Sequence, residues 1–404
     1  MTTIKNCNSV SSFHENQINA GNQIIQEFEK FNLCHLQAQM QSGKTGSSLY
    51  AAFNLIQDHK CETLHVLSAI GDIDLKNQWI EKIQSHFDSY FKSDLLDPKK
   101  EKQLILLRKL FSISVYFGKS IKDIKDLEFF RNSIIILDEV HYGSSNDSVI
   151  SKLFKRLNIS PILYGEKCDL LDKFNIKILV VSATAANLDS IYNNSEASEN
   201  WGRVYMEPGL NYKGVLDYYN SHSIYPNFNI KCSTIDLLVS LLNKYKSQQK
   251  YLIFRAVTQK AHIISEVCNA LDIPCLSYNQ ENTIKFDNIK PKQFTCVLIK
   301  NKLRVGKELN KKHICAVFES SITINTDTLL QGLFGRICGY NISNSIDVYI
   351  VTKNIDDIME EFNLINRNKP EATMTRTKFV KKYANDTASF PLIKEGSMHT
   401  RVDL

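Results

Sequence analysis

One stretch constrains this chain more than any other: Ala38-Gln39-Met40-Gln41-Ser42-Gly43-Lys44-Thr45, set between the apolar run Leu33 to Leu36 and a helix-compatible stretch from Lys44 to Asp58. The apolar run reads as a buried strand. A strand, a tight loop and a helix in that order aim several backbone N–H groups and a helix N-terminus at one spot, where a phosphate can sit. Lys44 would add a point charge on the β- and γ-phosphates, and the Thr45 hydroxyl would bind magnesium. Gln41, Ser42 and Gly43 complete the loop. Ala38 occupies the place of an expected glycine, which costs strain if φ there must be positive. The alternative is an ordinary turn that happens to contain Ser-Gly-Lys-Thr.

Asp138-Glu139-Val140-His141 weighs against that alternative. It follows Ser133-Ile134-Ile135-Ile136-Leu137, which fits a strand buried on both faces of a parallel sheet. Ligands of such sheets bind at the carboxyl ends of the strands. One carboxylate, Asp138, can hold the metal with Thr45. Its neighbour Glu139 can polarise a water for in-line attack on a γ-phosphate. An acidic pair opening a helix is the plain reading, since acids favour helix N-termini. It leaves His141 without a reason.

Three further segments follow in order. Lys177-Ile178-Leu179-Val180-Val181 is another buried-strand pattern and ends in Ser182-Ala183-Thr184. Val297-Leu298-Ile299 leads to Lys300-Asn301-Lys302-Leu303-Arg304-Val305-Gly306. Last comes Gln331-Gly332-Leu333-Phe334-Gly335-Arg336-Ile337-Cys338-Gly339-Tyr340. With these the chain resembles the superfamily-two helicases of the Asp-Glu-x-His kind. Gln41 to Thr45 correspond to motif I, Asp138 to His141 to motif II, and Ser182 to Thr184 to motif III. Arg304 to Gly306 correspond to motif V and Gln331 to Gly339 to motif VI. The resemblance spans roughly residues 10 to 355.

The resemblance implies roles residue by residue. Lys44, Thr45, Asp138 and Gly306 would serve the nucleotide, ATP with magnesium, and Glu139 would be the general base. His141, Ser182 and Thr184 would couple nucleotide state to nucleic-acid grip. Gln331 would contact the γ-phosphate or the attacking water. Arg336 would be an arginine finger supplied by the second domain, stabilising transition-state charge. Tyr340 stands where a second motif VI arginine often follows, so Arg336 works alone or with another residue such as Arg304. The Gly-Arg-x-x-Gly-Tyr ending resembles a subset found in phage, viral and mobile-element helicases.

A glutamine upstream of the phosphate loop often reads adenine in such enzymes. Gln17 could do so through its amide, or it could be a surface residue of a polar N-terminal helix. Leu64 to Ser68, with Asn77-Gln78-Trp79 beyond, resembles motif Ia and its following helix. There Trp79 reads as core and Ser68 as a candidate for nucleic acid. Gly118 and Lys119 after the Ile113 strand, and Arg255 after the Ile253-Phe254 strand, are further candidates for backbone phosphates. Each is also a plausible loop residue.

The expected fold is α/β: two tandem RecA-like domains, each a parallel sheet flanked by helices. Strands are expected near Leu33, Leu64, Ile113, Ile134 and Ile178, then near Tyr251, Cys275, Val297, Ala316 and Val348. The expected bounds are 1–206 for the first domain, 207–228 for a linker, 229–368 for the second domain and 369–404 for an extension. The 404 residues suffice for two or three domains, and 43% apolar with 23% charged residues is a globular composition. The net charge of +6 permits a polyanionic partner without requiring one. The lysine-rich stretches Asp97 to Lys102 and Lys307 to Lys312 read first as solvated faces. The 10 cysteines contain no Cys-x-x-Cys pair and sit mostly in apolar runs, as small hydrophobes in a reducing compartment do. No membrane span or secretory signal is evident, so a cytoplasmic location is expected, host cytoplasm if the source is a phage or virus.

Three functions compete at this level. One is an ATP-dependent nucleic-acid helicase or translocase, DNA favoured over RNA. Another is the motor subunit of a larger defence, restriction or replication complex, with a protein partner supplying specificity. The third is an ATP-gated clamp with little turnover.

Overall fold

The computed structural model describes residues 13–69, 73–92, 112–138, 149–164, 166–183, 200–278, 286–299, 309–321, 332–340, 342, 345–353, 355–356 and 359–360. The chain divides into two compact units, with the main change-over at Gly209 and Leu210 and with Gln39–Ser42 grouped with the second unit.

The first unit holds a six-stranded sheet: β1 (Leu33–Ala38), β2 (Thr63–Ser68), β3 (Ser112–Phe117), β4 (Ser133–Asp138), β5 (Ile176–Ser182) and β6 (Gly202–Met206). Their order is β3-β2-β4-β5-β1-β6, and every pairing is parallel. All of β1 and β4 is buried. Around the sheet lie α1 (Glu15–Glu27), α2 (Lys44–Gln57), α3 (Ile73–Lys92), α4 (Val149–Arg156) and the short α5 (Asp169–Lys173). Alternation along each strand splits the core into two layers. Ile134 and Ile136 of β4 join Leu64, Val66, Phe53 and Trp79 on one face. Ile135 and Leu137 join Leu67, Phe154 and Trp201 on the other. Each isoleucine of β4 removed from water contributes about 1.5–3 kcal/mol, and this is what keeps an unalternated apolar run central in the sheet.

The second unit repeats the plan. It contains β7 (Ile224–Pro226), β8 (Tyr251–Arg255), β9 (Cys275–Tyr278), β10 (Thr295–Ile299), β11 (Ile314–Glu319) and β12 (Asp347–Ile350), in the order β7-β12-β11-β8-β10-β9. These pairings are parallel too. Its helices include α6 (Val215–Asn220), α7 (Ile235–Tyr245), α8 (Thr258–Ala270) and α9 (Leu333–Ile337). Leu238, Leu242, Ile264 and Cys268 pack on Leu252, Phe254, Cys296 and Phe318.

Two expectations need correction. The stretch 207–228 is not a plain linker: α6 and β7 lie in it, and β7 is the edge strand beside β12. The first sheet also has a sixth strand, β6, beside β1. Gly-Arg-Val-Tyr-Met alternates between buried and half-buried, so it lacks the continuous apolar run that marks β4 and β5. The expected extension 369–404 lies outside the described residues.

Candidate nucleotide site and motor residues

The phosphate loop leaves the sheet from β1, between β5 and β6. Ala38 is the last residue of that strand and is buried, and it is not among the residues with positive φ. Alanine therefore costs nothing there by way of φ. The left-handed positions are Gln41, with φ 56°, and Gly43, with φ 109°, where glycine opens α2. A glutamine in that region stores about 1–3 kcal/mol of strain, of a kind that concentrates at functional turns. Ser42 Oγ donates to Gln39 O at 2.7 Å, and the Lys44 ammonium lies 3.4 Å from Ala38 O. The Gly46 and Ser47 amides already bond Gly43 O at 2.9 and 3.3 Å.

Gln17 is not a surface residue. It is 7% exposed, on the inner face of α1. Its Oε1 accepts from the His14 amide at 2.9 Å and its Nε2 donates to Gly43 O at 3.2 Å. The fit is close enough that a Cβ on Gly43 would lie 2.6 Å from Nε2, and one on Gly46 would lie 2.3 Å from it. Glycine at 46 thus lets α1 and α2 meet through the glutamine amide.

The register sets the other first-unit candidates at one level. Ser68 ends β2 opposite Asp138, which ends β4 opposite Val181, and Ser182 ends β5 opposite Gln37. All lie at the carboxyl edge from which the phosphate loop emerges. Asp138 is 9% exposed, and its Oδ2 accepts a 2.8 Å hydrogen bond from Trp79 Nε1. Ser68 and Ser182 are fully buried. Beneath the loop lies a polar layer: His35 and Gln37 of β1, with Arg203 of β6 donating to Gln37 Oε1 at 2.9 Å. Burial first, and the Arg203 charge second, push the His35 imidazole down to about 3. Glu139, His141 and Thr184 lie outside the described residues.

Gly118 follows β3 with φ 54° and opens a 3-10 turn, Gly118–Asp123, that includes Lys119. Ser120 Oγ accepts from the Phe117 amide at 3.0 Å and closes that turn.

In the second unit Arg255 ends β8, its Nε 3.5 Å from Glu319 Oε2 at the end of β11. Burial raises the Glu319 carboxyl above its usual range, and Arg255 pulls it back. Arg255 is thus engaged by a carboxylate. Arg336 lies in α9 and is 1% exposed. The tyrosine at 218 donates from its hydroxyl to Ile337 O at 3.0 Å and packs edge-on to Phe334 at 5.6 Å. Just beyond, Gly339 at φ 123° exchanges two 2.9 Å backbone bonds with Lys213. Tyr340 then packs against Tyr212, ring centres 5.5 Å apart. The segment 207–228 therefore anchors the residues around Arg336, a role that its composition conceals. Arg304, Gly306 and Gln331 lie outside the described residues.

Residues 15–191 match the DEAD/DEAH box helicase family. That stretch carries the phosphate loop and Asp138, and in it the chain is similar to nucleic-acid-dependent ATPases of the helicase kind. It is 23% identical over 363 residues to Uncharacterized protein L594 of Acanthamoeba polyphaga mimivirus, covering 81% of this chain and 82% of that protein. Its fold is similar to that of the ATP-dependent Type ISP restriction-modification enzyme LlaBIII bound to DNA, with a TM-score of 0.52, 15% identity and 84% of this chain covered. It is also similar to the DUF1998 helicase MrfA bound to DNA, with a TM-score of 0.51, 13% identity and 94% covered. The chain spans 27% of the first of these structures and 54% of the second. Its own architecture is two tandem RecA-like units. Among the described residues no helix is long and apolar enough to cross a membrane.

Proposed function

We propose that this chain couples hydrolysis of ATP with magnesium to translocation along DNA, separating strands as it moves. The observation that carries the reading is the shared edge of the first sheet. The loop holding Lys44 leaves β1 there, and Asp138 ends β4 two strands away. Lys44, with the Gln41–Thr45 backbone, would hold the phosphates. Thr45 and Asp138 are hard oxygen donors suited to magnesium, one hydroxyl and one carboxylate, with phosphates and water completing the shell. Among the described residues no cluster of three or more acidic, histidine or cysteine groups could hold a metal alone. Magnesium shared with substrate phosphates needs none. When bound, it would neutralise charge on the β- and γ-phosphates. Glu139 would take a proton from the attacking water, Gln331 would orient that water, and Arg336 would meet the developing charge. His141, Ser182 and Thr184 would link this state to the nucleic-acid grip. Gly118 and Lys119 would lie along the strand path, and the full burial of Ser68 weakens its case as a nucleic-acid contact. The engagement of Arg255 with Glu319 weakens its case as a phosphate contact.

The lean toward DNA over RNA rests on the DNA bound in the two structures named above, LlaBIII and MrfA. A second reading, the motor of a larger complex, is favoured by the small share of the restriction enzyme that the chain spans. Steady-state ATPase rates of the purified chain with single strands and duplexes of DNA and RNA separate these readings. Stimulation by DNA alone supports the first, and activity only with an added partner supports the second. Lys44→Ala should abolish turnover in a folded protein. Glu139→Gln should retain ATP binding while turnover falls at least ~100-fold. If the Gln variant loses ATP binding as severely as turnover, the base is another residue.

A further inference from the structure

Trp79 is one of two tryptophans in the chain. It lies on α3, is 3% exposed, and packs with Leu75, Ile83 and Phe87. Core packing alone would leave its N–H wherever a backbone carbonyl was available, as Trp201 does with Ile162 O at 2.8 Å. Trp79 instead donates to Asp138 Oδ2 at 2.8 Å, and both residues are buried. The arrangement follows from alternation: Asp138 shares its face of β4 with Ile134 and Ile136, the face on which Trp79 packs. We propose that Trp79 is a positioning residue, whose indole N–H fixes the orientation of the Asp138 carboxylate toward magnesium. This rests on the reading of Asp138 as the magnesium-side carboxylate.

The physical reason is specific. The terminal torsion of an aspartate is broad, so a carboxylate held only by its backbone can swing. An indole locked by packing offers a single donor in a fixed direction, and a hydrogen bond to an ionised acceptor is the stronger kind. Claiming one oxygen in this way leaves the carboxylate one preferred presentation. Partners of this type, one shell out from a metal, typically carry a 10- to 100-fold effect on metal affinity.

The test uses the full chain, a fluorescent ADP analogue and titrated magnesium. In EDTA, Trp79→Phe should bind the analogue as the wild type does, within about twofold. Its half-saturating magnesium concentration should rise about 10- to 100-fold. Asp138→Ala should raise it at least as far, and the double variant should be no worse than Asp138→Ala alone, since the two act as one unit. An unchanged magnesium requirement in Trp79→Phe, beside a raised one in Asp138→Ala, overturns the inference and leaves Asp138 in its role. No change in either overturns both. Should Trp79→Phe misfold, the indole N–H signals of the wild type decide. One of the two must shift with magnesium in the presence of ADP, and that same signal must be the one displaced by Asp138→Asn. Two static signals, or movement only of the other, overturn the proposal.

Discussion

Gln17 shows how much a single amide can hold. Its carbonyl is committed to the His14 amide and its NH₂ to Gly43 O, so it braces the start of α2 against α1. A glutamine reading adenine would discriminate among bases, whereas a brace would serve every nucleotide alike. Gln17→Ala should therefore weaken ATP and GTP by the same factor. Two modest hydrogen bonds, about 1 kcal/mol each, cap that factor at roughly thirty. Gly46→Ala should mimic it, because the new methyl would occupy the amide's place, 2.3 Å from Nε2. The double variant should then add little to Gln17→Ala. Nucleotide affinities by equilibrium titration check this, and selective loss of ATP would return Gln17 to the role of base reader. The sequence carried the loop clearly at this scale, since Ser-Gly-Lys-Thr after an apolar run is local information. It could not carry the Gln17–Gly43 or Trp79–Asp138 bonds, which join residues 26 and 59 positions apart. Nothing in either local pattern distinguishes an N–H that meets a carboxylate from one that meets a backbone carbonyl.

The strands follow the same logic of local against distant. Runs such as Ile134-Ile135-Ile136-Leu137 announce themselves, because a strand buried on both faces must be apolar throughout. Ten of the twelve described strands fall where an apolar or alternating run marks them. β6 and β7 do not, being a five-residue strand that opens on Gly-Arg and a three-residue one ending in proline, each fixed by its neighbour. β2 also carries an unusual cost. His65 is buried in it, 3.2 Å from Thr63 Oγ1, with the Phe130 ring edge-on at 4.9 Å. Burial pushes its imidazole from 6.5 to about 4. A folded-state value below the unfolded one means that the folded chain binds fewer protons. The stability this confers is complete above about pH 6.5 and is lost as pH falls toward 4. The gap amounts to about 3 kcal/mol. Urea midpoints should fall across that window, and His65→Phe, which cannot titrate, should flatten the descent. His35 extends the loss toward pH 3. A midpoint unaffected by His65→Phe between pH 6.5 and 4 would mean that another group governs acid lability.

At the scale of the molecule the question is what the second unit contributes to chemistry that begins on the first. The phosphate loop and Asp138 belong to the sheet of β1 and β4, while Arg336 is carried by α9 in a unit with its own core. If Arg336 stabilises transition-state charge, its loss should lower turnover far more than ATP affinity. Arg336→Ala is then expected to lose about 10³-fold in turnover, the low end for an arginine finger, with ATP binding within a few-fold of wild type. Arg336→Lys should rescue poorly, since an ammonium cannot reproduce the planar guanidinium fork. Because Arg336 is 1% exposed, thermal midpoints of both variants must accompany the rates. A buried arginine removed from its partners destabilises a fold for reasons unrelated to catalysis. The same reasoning applies to the isolated halves. Residues 1–209, cut at the division between units, should bind nucleotide weakly and show little DNA-stimulated hydrolysis. Adding residues 210–404 in trans should restore little, because the covalent connection supplies an effective concentration that free fragments lack. Full DNA-stimulated turnover by 1–209 alone would make Arg336 a structural residue and the first unit a complete ATPase.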